Sequence, residues 1–137
     1  MPLINAYLTF NGNYRDAMQF YQNCLGGDVS LQTIGASPMG EDLLQEMKDY
    51  ILHATLRHNN LVIMASDIVG EKGLMKGNHV SLMLNCKSVA EITTLYAKLS
   101  ENGEATQLLK ETFGDAIFGS LIDKFGIHWL LNFDRNQ

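Results

Sequence analysis

The sequence predicts an α+β domain of two βαβββ modules, residues about 1–70 and 78–137, whose strands form a curved mixed sheet with a concave pocket. Three observations lead there. Short runs in which apolar and polar residues alternate are broken twice by a run at helical spacing, so the order strand, helix, three strands occurs twice in 137 residues. Tyr21 and Tyr96 stand 75 residues apart and Gly27 and Gly103 stand 76 apart, each pair holding the same place in its half. One such unit has open sheet edges and little core; two together bury more and keep one strand face free of helix.

The elements follow in order. In "LINAYLTF" the residues Ile4, Ala6, Leu8 and Phe10 alternate with Asn5, Tyr7 and Thr9, a strand with one apolar face. After the turn "NGN", the run "YRDAMQFYQNCL" carries Ala17, Met18, Tyr21 and Leu25 at helical spacing and is closed by "GG". "DVSLQTIG" fits a short strand, "ASPMGEDLLQEMKD" a loop with a helical turn, and "YILHATLR" and "LVIMASD" two strands joined by "HNN". A Gly- and Lys-bearing linker, "VGEKGLMKGN", opens the second module. There "HVSLMLNC" is a strand placing Val80, Leu82, Leu84 and Cys86 on its core face, and Ser88 with Glu91 forms a capping box before "VAEITTLYAKLSEN", which stops at Gly103. "EATQLLKET", "AIFGSLID" and "IHWLLNF" complete the pattern, the last two separated by "KFG". The helices are therefore expected near 14–25 and 88–101.

Composition narrows the function. Fifteen acidic against ten basic residues give a formal charge of −5, and the basic residues are scattered, which argues against a nucleic-acid or anionic-membrane surface. No run approaches the ~20 apolar residues of a spanning helix, and "MPLINAYLTF" lacks the features of a secretory signal. Cys24 and Cys86, with no C-x-x-C, read as reduced thiols, so the expected location is the cytoplasm.

Alternation also sorts candidate site residues. In "YILHATLR", Leu52, Ala54 and Leu56 belong under a helix, leaving Ile51, His53, Thr55 and Arg57 for the opposite face. The same reading leaves Tyr7 on the first strand, Met64 on the fourth, His79, Ser81, Met83 and Asn85 on the fifth, and His128, Leu130 and Asn132 on the last. That face is polar but nearly uncharged. A solvated face would carry more Lys and Glu, whereas a few polar groups on an apolar wall describe a small-molecule pocket. His58 in the hairpin turn reads as surface, and Trp129 as packing.

The segments "AYLTFNGNYRDAMQFYQNCLGG", "ILHATLRHNNLVIMASD", "HVSLMLNCKSVAEI" and "ETFGDAIFGSLIDKFGIHWLLNF" resemble the PhnB-like branch of the glyoxalase/bleomycin-resistance/dioxygenase superfamily, also called vicinal oxygen chelate proteins. The resemblance covers essentially the whole chain. It implies paired βαβββ modules, a homodimer, and, in the superfamily's enzymes, a divalent metal held by the first and fourth strand of each module. Here Asn5 stands where a histidine is expected, Met64 and Leu130 stand where glutamates are, and only His79 matches. One imidazole does not make a metal site, which needs three or four N, O or S ligands. The expectation is a protein without the family metal and with no cofactor.

Two functions remain open. One is a binding module for an unknown small molecule; the other is an enzyme, a lyase, isomerase or oxygenase, using His53 and/or His79, with His53 as general base near neutral pH. The expected ligand-binding residues are Tyr7, His53, Thr55, Arg57, Met64, His79, Ser81, Met83 and Leu130, and the expected catalytic residue is His53. Methyl transfer finds no support, because no Gly-rich loop between strand and helix is present to seat an adenosyl cofactor; "FNGN" is a turn.

Overall fold

Among the described residues, hydrogen bonding sorts the strands into two four-stranded mixed sheets, one per module, each accompanied by one long helix. The computed structural model describes residues 2, 4–33, 51–67 and 73–135. Two compact units result, Met1–Met75 and Lys76–Gln137. The sequence expectation of a loop with a helical turn at 36–49 lies outside the described residues.

The first unit holds β1 (Ala6–Thr9), α1 (Tyr14–Leu25), β2 (Asp28–Thr33), β3 (Ile51–His58) and β4 (Leu61–Ser66), with the sheet in the order β1-β4-β3-β2. β1 runs parallel to β4 and the other neighbours are antiparallel. The β3–β4 hairpin turns at Asn59, whose φ of 54° is the left-handed conformation that Asn tolerates. α1 presents Tyr14, Ala17, Met18, Tyr21 and Cys24 inward, while Ala54, Leu56, Ile63 and Ala65 are the buried apolar members of β3 and β4. Phe10 meets Tyr14 edge-on at 5.4 Å between ring centroids.

The second unit repeats this plan with β5 (Leu82–Cys86), α2 (Val89–Ser100), β6 (Glu104–Glu111), β7 (Ala116–Ile122) and β8 (His128–Asp134), in the order β5-β8-β7-β6. Ser88 caps α2 by accepting from the Glu91 N–H at 3.0 Å, and the Glu91 carboxylate reaches back to the Lys87 N–H at 2.9 Å. Ile92, Tyr96 and Leu99 line the buried face of α2, and Leu121, Trp129 and Leu131 are the buried apolar side chains of β7 and β8. Among the described residues no helix is long and apolar enough to cross a membrane.

The repeated glycines have a steric reason. A side chain at Gly27 would collide with the Arg57 carbonyl, and one at Gly103 would collide with the Ile122 carbonyl. Each glycine immediately precedes the strand that leaves the helix, and Gly27 also has a φ of +94°. Close approach of that strand to the next therefore requires the missing Cβ in both modules.

Two core assignments need correction. Ile4 is 100% exposed and Val80 is 67% exposed, because β1 and β5 start later than the alternation suggests. β5 pairs in parallel with β8 from Leu82 opposite Trp129, and β8 itself begins at His128. Extending the register carries Val80 past the end of β8, where no strand remains to hold it. His79 and Ser81 consequently lie ahead of the strand, in exposed backbone.

Candidate functional site: the open sheet faces

Opposite the buried face, each sheet carries a row of side chains set by strand register. In the first unit Tyr7 lies beside Met64, Met64 beside Thr55, and Thr55 beside Ser30, one residue from each of β1, β4, β3 and β2. In the second unit the matching row is Met83, Leu130, Ser120 and Gln107. Tyr7 and Met83 are 55% and 53% exposed; Thr55, Met64, Ser120 and Leu130 are half-buried. Both rows combine apolar bulk with neutral hydrogen-bonding groups, and neither contains a charge. Large apolar side chains lie open on a face that no helix covers among the described residues, a pattern associated with recognition.

Arg57 is exposed at the margin of this first face, in register with Asp28 on β2 and Val62 on β4. His53 occupies β3 in register with Gln32 of β2; its side chain lies outside the described set. In the second unit Ser81 directly precedes β5 and His79 sits two residues further out in a bend.

Register also aligns the modules with each other. Ala6 opposite Ile63 corresponds to Leu82 opposite Trp129, so Tyr7 matches Met83 and Met64 matches Leu130. Asn5, one residue before β1, then has Ser81 as its counterpart, one residue before β5. The positions expected to hold metal ligands, Asn5, Met64, His79 and Leu130, thus supply an amide, a thioether, an imidazole displaced from its counterpart position, and an alkyl group. That donor set does not fit a divalent ion that prefers N, O or thiolate ligands. Among the described residues, no three His, Cys, Asp or Glu side chains are grouped to hold a metal.

Below the second row, Tyr96 reaches up from α2. Its hydroxyl lies 2.8 Å from the Gln107 carbonyl and 2.9 Å from the Ser120 carbonyl, and its single proton is shared between the two acceptors. β6 is irregular at this point, with register shifts on both sides of Gln107. Gly119 makes the reach possible: a Cβ there would stand 3.0 Å from the Tyr96 ring and 2.7 Å from Leu109. Burial pushes the Tyr96 phenol upward, so it stays protonated and able to donate.

Asp123 is a positioning residue that alternation did not reveal. It is 3% exposed; Oδ1 accepts from the Phe125 N–H at 2.9 Å and the Ile127 N–H at 3.0 Å, and Oδ2 accepts from Trp129 Nε1 at 2.8 Å. One carboxylate thereby ties the β7–β8 turn to the core indole and sets where β8 enters the sheet. The sequence signal was an Asp opening "DKFG" with a Trp six residues on. In the first unit Tyr14 is fully buried, its hydroxyl finds no hydrogen-bond partner among the described residues, and burial followed by the Asp67 charge pushes its phenol well up.

A family model described as 3-demethylubiquinone-9 3-methyltransferase matches residues 2–132. Protein YjdN of Escherichia coli (strain K12) is 30% identical over 145 residues, with 100% of this chain and 98% of the relative covered. Among solved structures, protein PA1353 from Pseudomonas aeruginosa is similar with a TM-score of 0.86 at 35% identity, covering 98% of both chains. The PhnB protein from Bacillus cereus follows with a TM-score of 0.73 at 26% identity, covering 96% of this chain and 99% of that one. A glyoxalase/bleomycin resistance protein/dioxygenase family enzyme from Burkholderia phytofirmans PsJN shares the fold, with a TM-score of 0.62 at 14% identity over 93% and 96% of the two chains.

Proposed function

The chain belongs to the 3-demethylubiquinone-9 3-methyltransferase family, and from that premise we propose that it is a metal-independent binding protein for a small, largely uncharged molecule held on the open sheet faces. The observation that carries this reading is the pair of rows Tyr7-Met64-Thr55-Ser30 and Met83-Leu130-Ser120-Gln107, apolar and hydrogen-bonding but without charge. The proposed contacts are Tyr7, His53, Thr55, Arg57 and Met64 from the first module, and His79, Ser81, Met83 and Leu130 from the second. No methyl transfer is assigned. The β1–α1 turn has a single glycine, Gly12, used for its φ of +87°, with open space where a Cβ would stand rather than a cradle for a cofactor.

The experiment is a thermal-shift screen of neutral small molecules against the metal-stripped protein. A ligand selective for the native state raises the melting temperature in a concentration-dependent way. Met83→Glu and Met64→Glu place a carboxylate in each row and should abolish the shift. Ligands that require an added divalent ion, or shifts unchanged in both variants, would refute the reading. The protein is further proposed to be cytoplasmic and homodimeric, the second because exposed strand edges such as β6 are usually covered or blunted. Sedimentation at tens of micromolar should give the dimer mass; monomer alone contradicts it.

A further inference from the structure

We propose that the amide pair Asn85–Asn132, with Phe118 beside it, recognises a neutral planar ligand carrying an amide-type donor and acceptor on one edge; this rests on the binding reading above and names its ligand class. Asn85 of β5 lies in register with Asn132 of β8, and Asn132 with Phe118 of β7. The three sit two residues along from Met83, Leu130 and Ser120, on the same open face. Asn132 Nδ2 donates to Asn85 Oδ1 at 3.3 Å. That bond orders the two amides head to tail. Among the described residues the Asn85 Nδ2 hydrogens and Asn132 Oδ1 have no side-chain partner, so a donor and an acceptor are left side by side.

The pair does little for the fold. Asn85 is exposed and Asn132 half-buried, and a hydrogen bond in contact with water contributes little net stability. The first module provides an internal comparison. The same register there pairs Thr9 with Ser66, so strand pairing at this point does not call for amides. A ligand that covered the pair would exclude water and strengthen each bond. A lactam, carboxamide or nucleobase edge offers the complementary acceptor and donor, and its ring can lie against Phe118, which is half-buried. The nearest cation in register is Lys110 on β6, one strand beyond Phe118, so an anionic ligand is the competing possibility.

The test uses the full chain labelled with ¹⁵N and ¹³C, titrated with benzamide and, in parallel, with benzoate, its anionic isostere. Benzamide should move the side-chain amide signals of Asn85 and Asn132, and benzoate should move them several-fold less. Asn85→Asp, which keeps the shape but replaces the donor by an acceptor, should remove the benzamide response, as should Asn132→Leu. Benzoate acting as strongly as benzamide would overturn the proposal in favour of charge recognition through Lys110. Benzamide shifting the Met83 and Leu130 methyl signals while both amides stay still would overturn it and leave the binding reading standing. If no signal on this face responds to either compound, the amide proposal falls, while the binding reading stands or falls by the thermal-shift screen.

Discussion

Asp123 concentrates more hydrogen bonding than any open-face side chain, yet it is buried beneath the turn that delivers β8. Its three accepted bonds bind the Phe125 and Ile127 amides and the Trp129 indole to one carboxylate. Asp123→Ala should therefore cost about 3 kcal/mol in chemical denaturation, since a buried indole N–H and two part-buried turn amides lose their acceptor. Cys86 makes a second residue-level prediction. Burial, with the Glu91 charge adding to it, pushes its thiol from an ordinary 9.0 to about 11. The folded state therefore favours the neutral thiol, and its contribution to stability is fully present below pH 9.0. Above that the unfolded chain ionises first, so stability falls as pH rises toward about 11. Equilibrium unfolding of wild type and Cys86→Ser across this window should show a shallower decline in the variant.

At the scale of elements, Tyr96, Gly119 and the irregular strand β6 act as a unit. Tyr96→Phe keeps the ring but removes the donor shared by Gln107 and Ser120, and should cost about 1 kcal/mol while raising amide exchange in β6 more than in β8. Uniform exchange across the sheet would contradict that link. The same scale shows what was legible beforehand. Period-two alternation placed Ala54 and Leu56 in the core and Thr55 on the open face, and helical spacing found Ala17, Met18 and Tyr21, because burial on one face imposes those periods directly. It overextended β1 and β5; for β5 the reason is that its parallel partner β8 begins only at His128, which alternation within β5 does not encode. Gly27 and Gly103 were visible as a repeat, but their reason, contact with the Arg57 and Ile122 carbonyls, is a tertiary fact. The Tyr96 reach and the Asp123 hub join residues 11 or more and up to 24 positions apart, or turn amides to an indole, and no local period encodes either.

For the whole molecule, the two modules agree in what they bury and differ in what they expose. Leu8 and Leu84 take corresponding register positions, as do Ala65 and Leu131, whereas the position held by Tyr7 in the first module holds Met83 in the second, and that of Thr9 holds Asn85. One packing solution thus carries two different open surfaces, which is where ligand specificity is proposed to reside. The most direct measurement is the methyl spectrum of [¹³C-methyl]methionine-labelled protein during titration with neutral small molecules. Met64 and Met83 report from the two open rows, and Met18, 1% exposed on α1, is the internal reference. The account predicts that a bound ligand shifts Met64, Met83 or both without added metal, while Met18 stays in place. Ligands that bind the protein yet leave both open-face methyls unmoved, or move Met18 as much, would contradict it.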